Sequence, residues 1–149
     1  MTDVRFYHLR SKRLEQALPE ILAKALERGR RAVVKAGSAA RIEVLDGALW
    51  THDPASFLPH GFLRDGHEGD HAIWLTTEDE NPNNADMLVL TDGAASDRIG
   101  DFTLTCEIFD GNDDDAVATA RSRWTAYKEK GFTVSYFQQD ENGKWEQKQ

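Results

Sequence analysis

Of 149 residues only Cys106 is a cysteine, and only four are prolines. A lone thiol excludes a disulfide framework and any multi-cysteine zinc site, and it fits a reducing compartment. No apolar run approaches the ~20 residues that a membrane-spanning helix needs. The opening Met1-Thr2-Asp3-Val4 lacks the basic and apolar regions of a secretory leader, so a cytoplasmic location with no membrane contact is expected. Positive charge is scarce as well: 18 Lys and Arg face 26 Asp and Glu, giving a net charge of −8. Gripping phosphates over a broad face requires clustered cations, so a general nucleic-acid binder is disfavoured. What is present, 40% hydrophobic and 30% charged residues, describes a globular chain, and the length suits one domain over 1–149 with a polar tail from about 140.

Periodicity alternates along the chain. Val4 to Leu9 is rich in β-formers and reads as a strand. From Leu14 the apolar positions Leu14, Leu18, Ile21, Leu22, Ala25 and Leu26 share one helical stripe that stops at Gly29, and Pro19 should kink that helix or split off its first turn. Ala32 to Ala36 reads as a second strand, after which Ser38 can cap a helix with Ala39, Ile42, Leu45 and Leu49 inward. Thr51 to Asp70, with Pro54, Pro59 and three glycines, is expected to be mostly loop. Strands resume at Ala72–Leu75, Met87–Leu90 and Thr103–Phe109, then a helix runs from Asp113 to Lys130 and a strand from Phe132 to Phe137. This order implies an α/β fold with a mainly parallel sheet, helices on its faces and right-handed crossovers between neighbouring parallel strands.

Chemistry-bearing motifs are sparse. The loops after the first two strands, Arg10-Ser11-Lys12-Arg13 and Gly37-Ser38-Ala39-Ala40, are neither G-x-G-x-x-G nor a P-loop, so the close backbone approach that phosphates need is not encoded. A nucleotide-binding regulator is therefore a weak alternative, and no cofactor is implied. His52, His60, His67 and His71 fall within twenty residues but at irregular spacing, without an H-x-x-x-H pair. They leave a metal-dependent hydrolase using the His52–His71 loop as the alternative from another functional class. Cys106, mid-strand between Thr105 and Glu107, reads as a buried inert thiol. Asp110 to Asp115 lacks the order of a calcium loop and reads as a turn feeding a helix cap.

Two surfaces remain for protein partners. Trp50, which directly follows a helix, is expected to fold onto the core, whereas Phe57 and Leu58 sit in a proline-bounded loop that suits either core or interface. On the late helix, Arg121, Trp124, Thr125 and Lys128 share a face at i, i+3, i+4 and i+7. A cation beside an aromatic ring there suits a peptide carboxylate next to an apolar side chain, although aromatic stripes on helices usually face a core.

Several segments in order resemble one family: Phe6-Tyr7-His8-Leu9, the helix from Leu14, and Leu45-Asp46-Gly47-Ala48-Leu49-Trp50. They continue with Ser56-Phe57-Leu58-Pro59-His60, Glu80-Asn81-Pro82-Asn83-Asn84-Ala85, Phe109-Asp110-Gly111 and Ala120 to Lys128, followed by Gly131-Phe132. Together they resemble the chi subunit of the bacterial DNA polymerase III clamp-loader complex. The resemblance implies a three-layer Rossmann-like domain without catalytic residues or metal, which links the clamp loader to single-stranded DNA-binding protein during replication. DNA would then be met only indirectly. By resemblance, Arg121 and Trp124, with Phe109 and Gly111, line a pocket for that protein's acidic C-terminal tail. Trp50 and Phe57, Leu58, Pro59 and His60 correspond to the surface that binds the psi subunit. The chain departs from the family at Thr125, where better-known members carry a lysine: either Lys128, one turn on, replaces that charge or the pocket is weaker. With few cations overall, capture of an acidic tail requires a local cluster, expected at Arg121, Arg123, Lys128 and Lys130.

Overall fold

The computed structural model describes residues 2–51, 60–62 and 71–149. Its centre is one sheet of eight strands in the order β3-β4-β2-β5-β6-β1-β7-β8. The strands are β1 (Asp3–Leu9), β2 (Ala32–Lys35), β3 (His60–Phe62), β4 (Ile73–Thr76), β5 (Met87–Leu90), β6 (Leu104–Asp110), β7 (Thr133–Gln139) and β8 (Trp145–Gln147). Every pairing is parallel except that of β7 with β8. Three helices, α1 (Leu14–Glu27), α2 (Ala39–Thr51) and α3 (Asp114–Glu129), supply the outer layers.

Alternation along β6 divides the core. Cys106 and Ile108 face Leu18, Ile21 and Leu22 of α1 and Ile42, Leu45 and Leu49 of α2. Phe109 faces the opposite way, joining Phe6, Leu88, Ala120 and Tyr127 beneath α3. The result is the expected α/β sandwich, helices on both faces of a mainly parallel sheet. Buried strands such as Ile73-Trp74-Leu75-Thr76 and Met87-Leu88-Val89-Leu90 accordingly read as continuous apolar runs, without alternation.

Four expectations need correction. Helix α1 does not split off its first turn at Pro19 but continues through it: only the single bond to the Glu15 carbonyl is forgone, and Pro19 is itself buried, as are Leu18, Ile21 and Leu22. β1 and β2 are not neighbours, because β5 and β6 lie between them, so the first crossover spans two intervening strands. The expected loop contains β3, where His60, Gly61 and Phe62 pair with Ile73, Trp74 and Leu75. The polar tail contains β8, anchored by Trp145, whose ring meets Tyr7 edge-on at 5.0 Å. The expected caps are present: the Ser38 hydroxyl accepts from the Arg41 N–H at 3.2 Å, although Ala39 itself is exposed.

Candidate functional site

The crossovers leave β1 and β6 in opposite directions, α1 on one face and α3 on the other. The crevice beyond their C-terminal ends is where open α/β sheets usually bind ligands. Here it is a cleft of about 790 Å³ lined by Arg10, Arg13, Arg41, Asp92, Asp113 and Arg123, among others. Its charges are largely turned on one another. Arg41 bonds Glu15 at 2.5 Å and Asp92 at 2.8 Å. Arg123 pairs with Glu107 and donates to the carbonyls of Ala94 at 3.0 Å and Gly93 at 2.9 Å. Glu107 is only 4% exposed, and burial pushes its carboxyl above the ordinary range even with Arg123 beside it. The Asp113 carboxylate accepts from the N–H groups of Asp115 and Ala116, occupying the donors a phosphate would use at the start of α3.

A different arrangement lies where α3 crosses the ends of β1, β6 and β7. Trp124, half-buried, packs at 5.5 Å from Phe6 and 6.0 Å from Tyr136. Tyr136 in turn meets Phe109 at 6.2 Å, and Phe109 meets the His8 ring at 5.1 Å. The Lys128 ammonium stands 5.7 Å from the centre of the Trp124 ring, a cation–π contact. Arg121 is exposed one turn earlier, and its guanidinium makes no hydrogen bond or ion pair among the described residues. Gly111 adjoins the cluster because only a residue without Cβ fits: a Cβ there would stand 2.0 Å from His8 Nε2.

The structure thus brings Phe109, Gly111 and Trp124 into one contiguous cluster, with Arg121 and Lys128 at its rim. Thr125 is exposed, its hydroxyl donating to the Arg121 carbonyl at 3.3 Å, so it contributes no cation. Arg123 does not join the rim, being held by Glu107 on the opposite flank of α3. The Trp124 side chain is neither fully core nor free, being half-buried with its ring tilted 58° against that of Phe6.

Two members escaped the sequence reading. His8 shares a face of β1 with Val4 and Phe6, and its Nδ1 lies 2.5 Å from the Tyr136 hydroxyl. Partial burial, then the charges of Arg10 and Arg121, hold the imidazole below its usual pKa, against the opposing charge of Asp110. Burial raises Tyr136. The period-two pattern could have placed His8 beside Phe6; the register that sets Phe6 against Tyr136 is visible only in the fold.

The second expected surface is described in part. Trp50 is 56% exposed, which corrects the expectation that it folds onto the core: Leu49 takes the inward position and the next residue points about 100° away. Its ring meets that of His60 at 5.0 Å, and His60 Nε2 is 3.0 Å from Asp46. Phe57, Leu58 and Pro59, together with His52 and His67, lie outside the described residues. Among the described residues no three His, Cys, Asp or Glu gather as a metal set, and His71 stacks on Trp74 at 5.7 Å. Cys106 is fully buried and its thiol is pushed up to about 12 by burial. No helix among the described residues is long and apolar enough to cross a membrane.

The sequence matches the family model described as DNA polymerase III chi subunit, HolC, over residues 1–135. It is 29% identical over 90 residues to the probable DNA polymerase III subunit chi of Rickettsia prowazekii, covering 60% of this chain and 54% of that protein. The chain therefore spans about half the length of that relative. It is also 26% identical over 123 residues to the DNA polymerase III subunit chi of Escherichia coli, covering 82% of this chain and 83% of that one.

Proposed function

The chain belongs to the DNA polymerase III chi-subunit family, and on that premise we propose that it is a non-catalytic adaptor of the replicative polymerase. It joins the clamp-loader complex to single-stranded DNA-binding protein by capturing that protein's acidic C-terminal tail. The observation that carries this reading is Arg121, an exposed guanidinium with no partner among the described residues, beside the Trp124 ring and the Lys128 ammonium. In a chain of net charge −8 such an uncommitted cation is an anion acceptor. Arg121 takes a carboxylate of the tail, Lys128 adds the charge that Thr125 lacks, and Trp124 with Phe109 receives the apolar end residue. The exposed Trp50, with His60, is offered to the psi subunit at a separate surface.

The test is titration of the whole chain with a fluorescent peptide of several Asp residues ending in a free apolar residue. Affinity should fall as salt rises from low to physiological strength, since exposed charges are screened beyond ~8 Å at physiological salt. Amidating the peptide's C-terminus should weaken it further. Binding indifferent to both changes would remove the cations from the site.

A further inference from the structure

Resting on the peptide-capture reading, we propose that His8 and Tyr136 are the second half of the carboxylate acceptor: an occupied pocket draws a proton onto His8, and Tyr136 is thereby freed to donate to the bound carboxylate.

His8 is the next-to-last residue of β1, its ring lodged between Phe109 and Tyr136 and against Gly111. Every neighbouring element brings a charged or titratable group toward it. Arg10 follows just beyond the end of β1, Asp110 closes β6, Arg121 reaches in from α3, and Tyr136 stands on β7. Two cations and partial burial oppose protonation, and one carboxylate favours it, so before peptide binds the imidazole is biased toward its neutral form. With its proton on Nε2, Nδ1 accepts the Tyr136 hydroxyl proton across 2.5 Å, and the hydroxyl has none left to offer.

A peptide carboxylate at Arg121 reverses the balance. It cancels one of the two opposing cations and places an anion near the ring. One proton then passes from solvent to His8. Nδ1–H now donates to the Tyr136 oxygen, and Tyr136 keeps its own proton but turns it outward. The carboxylate gains a neutral donor beside the guanidinium, and the one new covalent bond is the N–H formed at His8 Nδ1. Sequence separation matters here, because His8 and Tyr136 are 128 positions apart and meet only through the parallel pairing of β1 with β7.

Calorimetric titration of the full chain with the acidic peptide, in phosphate and in imidazole buffer near pH 6.5, counts protons taken up per peptide. Peptide carboxylates titrate near 4 and are silent there. The expected result is uptake of a fraction of a proton, with affinity rising about three- to tenfold between pH 8 and pH 6, one pKa unit being tenfold. In His8→Gln, uptake should vanish and the pH slope flatten. Tyr136→Phe should reduce both uptake and slope. The His8 imidazole resonance of the wild type gives a check that needs no variant: peptide should raise its titration midpoint. Equal uptake in wild type and His8→Gln, or a midpoint unmoved by peptide, overturns the proposal while leaving peptide capture intact. No binding heat at any pH between 6 and 8 would bring down the capture reading as well.

Discussion

Gly111→Ala is the sharpest single test of how the pocket is built. The added Cβ would stand 2.0 Å from His8 Nε2, 2.1 Å from its Cδ2 and 2.5 Å from the Leu9 carbonyl oxygen, where ordinary contact begins at 3.4 Å. The ring can swing aside, but the carbonyl cannot, because it accepts the Gly111 N–H at 2.8 Å where β1 and β6 part. Forcing a methyl into packed structure costs about 1–3 kcal/mol. Displacing His8 forfeits its bond to Tyr136, about 0.5–1.5 kcal/mol more. The sum, about 1.5–4.5 kcal/mol, lowers the melting temperature by roughly 3–18 °C in a chain of this length. Circular dichroism melts of wild type, Gly111→Ala, His8→Ala and the double variant give the full cycle. Because His8→Ala removes the ring but not the backbone clash, the pair should be less destabilised than the sum of the singles, by about 0.5–3 kcal/mol. A Gly111→Ala protein that melts with wild type, or strictly additive variants, would refute the claim that the ring occupies that space.

Other outcomes follow from the same geometry. Arg121→Ala should weaken the acidic peptide by about 1.5–3 kcal/mol, the range for a hydrogen bond to a charged group, measured by fluorescence anisotropy; unchanged affinity removes Arg121 from the pocket. Glu107→Ala leaves Arg123 without its buried partner and should cost about 3–5 kcal/mol in urea denaturation, whereas a loss under 1 kcal/mol would show that the Gly93 and Ala94 carbonyls hold the guanidinium unaided. His8 binds its proton less readily folded than unfolded, so its contribution to stability is present above the ordinary value of 6.5 and is lost as pH falls below it. Melts from pH 8 to pH 5 should show that decline in wild type and a shallower one in His8→Gln. Cys106 should resist a thiol reagent at neutral pH until denaturant unfolds the chain; rapid labelling of native protein would contradict its burial.

Much of this architecture can be read from residue patterns, and the failures share a cause. The long elements declare themselves: Leu14, Leu18, Ile21 and Leu22 for α1, the acidic start and basic end for α3, and the apolar runs of β4 and β5. β3 and β8 do not, because three-residue strands carry no period, and Trp145 finds its partner Tyr7 in a strand at the other end of the chain. At the site, spacing along α3 assembles Arg121, Trp124 and Lys128 on one face, yet it also counts Arg123 as a free cation. Arg123 lies three residues after Ala120 and four before Tyr127, both buried, so its inward position was legible; the buried acid that holds it, on another strand, was not. The His8–Tyr136 pair is of the same kind, since each residue looks ordinary in its own segment.

The placement of β1 between β6 and β7 has a consequence for how the molecule is made. Synthesis delivers β1 first, and it waits with both edges bare until residues near 104 and then 133 emerge to pair with it. Over that interval the strand is a hazard of the kind that invites pairing with other chains. It is also a guarantee. A product cut short before Thr133 carries Arg121 and Trp124 on a helix but has no Tyr136 to hold His8 and no second wall for the pocket. On the peptide-capture reading, such a fragment lacks one half of the carboxylate acceptor. The pocket is therefore complete only once β7 has joined β1.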